Sequence, residues 1–280
     1  MSFHTFKTIL DKMPKTLTQI ALGADAQGTA NPDMFEMMHY ARAIGIIPNL
    51  TIADVSKKVA DKLAKVAGAV AVSVYKHAGK DVAYNSARRL LDAGMKQVNF
   101  HVMCSVETKD FCFEVMNDFL TDERLKGINA IVFLSLKKKG RGEKFSTVTS
   151  LDYRELVNFA FENNIPIGSD SCSAPTFTKA ILNRDNYKDL MKHVEPCEST
   201  CFSAYVNEYG RFFPCSLTEK WNKGGWETGL DVTTCNDFIE DIWNHPKTVR
   251  FRKNLIGNKD ENSCRNCPAF EVCGTFMERI

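Results

Sequence analysis

The sequence is notable first for what it does not contain. No cysteine precedes Cys104. No apolar stretch approaches the roughly 18–20 residues needed to span a bilayer as a helix. The opening residues, Met1-Ser2-Phe3-His4-Thr5-Phe6-Lys7, lack the basic-then-apolar order of a secretory leader. Charge of either sign is nearly balanced, at a net +2, so neither nucleic acid nor an anionic membrane is indicated as a partner. Together these absences lead to the expectation of a cytoplasmic protein. Hydrophobic content of 44% and charged content of 25% are those of an ordinary globular chain. The 280 residues suffice for one large domain with a smaller appendage.

Cysteine, absent from the first third, is abundant later. Cys104, Cys112 and Cys172 are scattered and read as small buried side chains. Seven more cysteines lie between Cys197 and Cys273. Reducing surroundings make disulfides a poor use for them, and their clustering points to a metal.

Up to about residue 170 two textures alternate. Residues 17–24, 47–53, 69–76, 97–104, 128–136 and 165–169 are short and apolar, and their continuous apolarity predicts parallel strands buried on both faces. Between them, residues 32–44, 56–66, 81–93, 109–125 and 152–163 carry helical spacing. Asn31-Pro32 reads as a cap with proline at the first helical position, and Asp54 or Ser56 as the next cap. Repeated βα units of this length predict a parallel α/β sheet. Residues 3–12 also read as a helix. A βα array ordinarily begins with a strand, so this helix reads as part of a unit whose strand is missing, in a truncated or alternative-start chain.

Past Asp170 the texture changes. Residues 174–182 and 187–194 read as short helices. Residues 202–209 and 211–216 flank Gly210 and predict a hairpin. Residues 236–255 read as a helix split by Pro246. The domain reading is a sheet domain over 1–170, a helical connector over 171–196 and a cysteine-rich domain over 197–280.

The late cysteines read Cys197-x3-Cys201-x13-Cys215, then, after a gap holding Cys235, Cys264-x2-Cys267-x5-Cys273. A Cys-x2-Cys knuckle turns two thiolates toward one point, and a second group folded against it completes a sulfur shell. Spacing alone leaves zinc and an iron–sulfur cluster equally open. Cys235 reads as core.

Cys201-x8-Gly210-x4-Cys215 followed by Cys264-x2-Cys267-x5-Cys273 resembles the auxiliary-cluster domain called SPASM, or its shorter relative twitch. Those domains follow the barrel of radical S-adenosylmethionine (SAM) enzymes. The resemblance therefore implies a partial (β/α)6 TIM-like barrel missing its first strand, followed by a small cysteine-rich SPASM/twitch-like domain. It implies an auxiliary 4Fe–4S cluster held by four of Cys197, Cys201, Cys215, Cys264, Cys267 and Cys273, which four being open. Gly23 and Asp25 sit where the family places a Gly-Gly-Glu-type SAM contact, and Ser73 where a strand residue touches SAM. Gly23 has a plain turn role open to it, and Ser73 a backbone partner. His101 and Glu107 belong near the next strand's end, His101 more simply as a packed side chain. Lys137-Lys138-Lys139-Gly140-Arg141-Gly142 reads as a solvated basic loop or a contact for an anionic substrate.

Two departures qualify what is implied. The Cys-x3-Cys-x2-Cys triplet that holds the SAM-cleaving cluster occurs nowhere in the chain, and the fourth cysteine of the Cys-x2-Cys-x5-Cys-x3-Cys run is replaced by Met277. The resemblance thus implies a radical SAM oxidoreductase or peptide-modifying enzyme, using a 5′-deoxyadenosyl radical on a peptide, protein or small molecule, with SAM as cofactor only if the missing segment is supplied. A full-length paralogue is an implied partner. A non-catalytic cluster protein and a zinc-stabilised α/β protein are the alternatives.

Overall fold

The computed structural model describes residues 1–23, 28–137, 140–195, 197–219 and 225–257. The chain divides into two compact units, Thr18–Val194 and a second formed by Met1–Leu17 with the residues from Glu195 on.

In the first unit a strictly alternating βα order builds the sheet. The strands are β1 (Gln19–Leu22), β2 (Ile47–Ile52), β3 (Val70–Val74), β4 (Val98–Cys104), β5 (Ala130–Ser135) and β6 (Ile167–Ser169). They pair in sequence order and every pairing is parallel. This is the α/β arrangement of a partial (β/α)6 barrel. The connecting helices are α2 (Met34–Ala43), α3 (Lys57–Val66), α4 (Lys80–Asp92), α5 (Lys109–Thr121) and α6 (Ser150–Glu162). Ser56 caps α3 through the Val59 amide, while Asp54 instead takes a hydrogen bond from Ser86 Oγ. Asn31 does not cap α2. Its side chain and carbonyl shape the turn before it, and the helix starts at Met34, after Pro32.

One expectation about the sheet is corrected. The strands are not buried alike on both faces. Leu50, Ile52, Val70, Val72, Val98, Phe100, Val102, Ile131 and Phe133 are almost wholly buried, in one core with the helices. The alternate positions, Asn49, Thr51, Ala71, Ser73, Asn99, His101, Ala130 and Val132, are only partly buried. That second face carries small and polar side chains. Beyond β6 come α7 (Ala174–Ile181) and the single turn α8 (Tyr187–Leu190).

The second unit has its own aromatic core. Phe212 meets Trp226 and Phe238 with ring centroids 5.9 and 6.2 Å apart, and Trp226 meets Phe251 edge-on at 6.3 Å. Its sheet joins β7 (Tyr205–Val206), β8 (Arg211–Phe213) and a third, unanticipated strand, β9 (Leu230–Asp231), all antiparallel. The split at Pro246 occurs: a π-helical turn at Ile239–Trp243 gives way to α9 (Pro246–Gly257). Helix α1 (Phe3–Lys12) belongs to this unit as well. Ile9 packs into the aromatic core, and Lys12 Nζ donates to the Cys235 carbonyl. The helix read as a leftover of the βα array therefore serves the cysteine-bearing unit. Of the domain boundaries expected, the first 17 residues fall apart from the sheet.

Candidate functional site

The cysteine-bearing loop is built by turn chemistry. Asn207 takes the amides of Tyr209 and Arg211 on its side-chain oxygen, both at 3.0 Å, closing the β7–β8 turn. Gly210 sits in that turn at φ 78°, where a Cβ would lie 2.4 Å from the Thr233 methyl, so the motif glycine is required twice over. Strand β8 then leads through Pro214 to Cys215, whose sulfur accepts from the Thr218 amide. Upstream, the amides of Cys201, Phe202 and Ser203 all converge on the Glu198 carbonyl, at 2.9 to 3.1 Å. That knot holds Cys197 and Cys201 close enough to feel one another's charge. Burial pushes the Cys201 thiol up and Cys197 adds to it, while the Arg252 guanidinium opposes both.

Within this loop Thr200 adopts φ 59°, a left-handed conformation that a β-branched residue rarely takes. Arg252 donates to its carbonyl, and its own hydroxyl is buried with no hydrogen-bond partner among the described residues. A strained turn with an orphaned buried hydroxyl between two half-buried cysteines is the surrounding expected of a sulfur-ligated group. Thiolate donors beside a guanidinium fit an anionic iron–sulfur cluster. Among the described residues no three of His, Cys, Asp and Glu close a metal site by themselves. Cys264, Cys267 and Cys273 lie outside the described residues.

On the sheet, β3 and β4 pair with Ser73 opposite His101 on the partly buried face. Burial holds the His101 imidazole below the usual histidine range, against the pull of the Asp170 carboxylate. Gly23 follows β1 and is exposed, with open space where a Cβ would be; Asp25 lies outside the described residues. Glu107, beyond the end of β4, accepts the Ser146 amide at 2.9 and 3.1 Å. Lys137 is not solvated: its Nζ pairs with Asp170, and both side chains are about four-fifths covered. A Cβ on Gly142 would strike the Lys137 carbonyl at 2.3 Å, so the glycine lets this loop fold back on itself. Lys138 and Lys139 lie outside the described residues. Cys104, Cys112 and Cys235 are buried, as read; Cys172 is not, and sits half-exposed beyond β6.

Residues 197–268 match the family model of SPASM, an iron–sulfur cluster-binding domain. A radical SAM methyltransferase from Sphaerobacter thermophilus is similar at a TM-score of 0.44, with 14% identity over 55% of this chain and 51% of that one. HydG, a maturase of the FeFe-hydrogenase, is similar at a TM-score of 0.40, with 13% identity over 70% of this chain and 48% of that one. The chain spans about half the length of each of these two. No curated protein matches the sequence. The parallel α/β fold and the SPASM match over residues 197–268 are together consistent with the resemblance to a radical SAM protein carrying such a domain. The match lends zinc no support. Among the described residues no helix is long and apolar enough to cross a membrane.

Proposed function

We propose that the chain is a radical SAM-type iron–sulfur protein that modifies a peptide, a protein or a small molecule. The observation that carries this is the SPASM match over residues 197–268, laid on a loop whose strained Thr200 and paired Cys197 and Cys201 suit a sulfur-ligated cluster. Four of Cys197, Cys201, Cys215, Cys264, Cys267 and Cys273 would hold the cluster. When bound, the cluster supplies one-electron chemistry or a docking point for substrate, and SAM supplies a 5′-deoxyadenosyl radical. The chain's own part is orientation. Ser73 and His101, side by side on the open face of the sheet, would meet SAM or substrate at the strand ends, where parallel α/β sheets take their ligands. A neutral His101 can accept a hydrogen bond there without carrying charge.

The triplet for SAM cleavage is not among the 280 residues. Iron-loaded protein titrated with SAM in a calorimeter is therefore expected to show little or no binding, and to form 5′-deoxyadenosine only when a full-length paralogue is added. Cluster-bound protein that yields no deoxyadenosine with the paralogue would point to a non-catalytic cluster protein. Micromolar SAM binding by the chain alone would contradict the division of labour.

A further inference from the structure

Arg252, on α9, is gripped by neutral groups. Its Nε donates to the Thr200 carbonyl, the oxygen of the peptide bond that leads into Cys201. Its Nη2 donates to the Trp243 carbonyl at 3.0 Å, and the guanidinium carbon lies 4.8 Å from the centroid of the Trp243 ring. Trp243 is itself set against Phe238, with ring centroids 6.4 Å apart, and it packs with Cys197 and Cys201 against the same aromatic core. The side chain is thereby fixed with its charge against the loop that carries both cysteines. Burial pushes the Cys201 thiol up, and the guanidinium works against it, as a cation near the sulfur must.

The countercharge is what this arrangement lacks. Arg88, Arg124 and Arg211 each meet an aspartate, whereas among the described residues Arg252 has no ion pair. The loop's own acid, Glu198, has its carboxyl pushed up by burial and by Glu195, the opposite of what a paired guanidinium would impose. Holding a half-buried cation by neutral groups alone carries a desolvation cost, which the weakly hydrated guanidinium bears better than an ammonium would. The Thr200 hydroxyl beside it is buried with no hydrogen-bond partner among the described residues. An uncompensated cation and an unused donor on one loop both call for a negatively charged group on its cysteine side.

We propose that Arg252 sets the reduction potential of the cluster, supplying a fixed positive charge at the Thr200–Cys201 peptide that makes the cluster easier to reduce. The inference rests on the iron–sulfur reading above and goes beyond it by naming the residue that decides how readily the cluster takes an electron. On reduction one electron enters from a one-electron donor, no bond forms or breaks at the protein, and Arg252 keeps its protons and its charge. The cluster becomes one unit more negative. A fixed cation nearby stabilises that form over the oxidised one, so the midpoint potential rises. The guanidinium holds this place because the Trp243 ring and carbonyl fix it from one side and the Thr200 carbonyl from the other.

The test is a redox titration of the full chain purified without oxygen, with dithionite as the electron donor and the reduced cluster followed by electron paramagnetic resonance. Iron and acid-labile sulfide are measured on every sample. Arg252→Gln keeps an amide that can donate to the Thr200 carbonyl but removes the charge, and Arg252→Lys keeps the charge. Arg252→Gln is expected to make the cluster about tenfold harder to reduce at a given potential, a fall in midpoint of about 59 mV for one electron. Arg252→Lys is expected to stay near the unaltered value. Loss of iron from Arg252→Gln with retention in Arg252→Lys would equally assign the role to charge. Loss from both, or an equal fall in both midpoints, overturns the proposal and leaves Arg252 a brace for the loop. With full iron and sulfide in each, an unchanged midpoint in Arg252→Gln overturns this inference alone and leaves the cluster reading standing. Unaltered protein that holds no iron and sulfide overturns the cluster reading, and this inference with it.

Discussion

The two units of this chain reach stability by different means. Thr18–Val194 buries a long series of aliphatic side chains between a parallel sheet and its helices, with Val70, Val72, Val98, Phe100, Val102, Ile131 and Phe133 shielded almost completely. Among its described residues the cysteine-bearing unit has strands of two or three residues and a much smaller core around Phe212, Trp226, Phe238 and Phe251. Burial of apolar area is ample for the first. A core as small as the second ordinarily needs a staple, and under the proposed function that staple would be the cluster its cysteines hold. The difference teaches where each unit's instructions reside: in periodic apolarity for one, in a handful of cysteines and turn residues for the other.

The largest effect that would sharpen this contrast comes from removing the staple. Cys264→Ser with Cys267→Ser is expected to abolish bound iron and to unfold the second unit, leaving hydrogen-exchange protection of the sheet strands intact. Iron content unchanged in that variant would remove both residues from the ligand set. Next comes the docked first helix. Ile9→Ala should cost the second unit about 2–5 kcal/mol, the usual range for emptying a buried aliphatic site. A loss registered in the sheet strands instead would break the assignment of α1. A smaller effect is expected at the motif glycine. Gly210→Ala should cost about 1–3 kcal/mol through its left-handed backbone and the Thr233 methyl. A Tm unchanged within error would show the turn to be relaxed.

The smallest effect concerns the sheet and pH. Because burial depresses the His101 pKa, the unfolded chain binds its proton first. The stability this histidine contributes is complete above its unfolded value of about 6.5 and is lost as pH falls through the folded one. The Tm of the sheet unit should therefore decline from about pH 7 downward, and His101→Asn should flatten that slope. An identical slope in the variant would assign the decline to other groups.

Much of the sheet was legible in the sequence because its signal is local. Strand and helix segments fell within a few residues of those observed, and Gly210 and the Pro246 break were read from turn chemistry alone. Three features were not legible, each for a physical reason. The amphipathic spacing of residues 3–12 announces an apolar face but not which core it enters. The open face of the sheet was hidden because alanine counts as apolar: Val70-Ala71-Val72-Ser73-Val74 reads as continuous, yet the alternate positions are small rather than buried. Strand β9, two residues long, is too short to show a period. Around the cluster, spacing pointed to a metal and resemblance to iron–sulfur. The strain at Thr200 left no mark on the sequence. The Lys137–Asp170 pair was invisible for the same reason that Cys172 was misread as core: the partners are far apart in the chain and meet only because β5 and β6 lie side by side.

The measurement that tests the central claim most directly is the iron, acid-labile sulfide and zinc content, with a visible spectrum, of protein purified without oxygen. About four irons and four sulfides per chain, with broad absorbance near about 400 nm, is the result predicted for one cysteine-ligated 4Fe–4S cluster. Stoichiometric zinc with no sulfide would contradict it, and would leave the second unit a zinc-closed knuckle beside an α/β sheet.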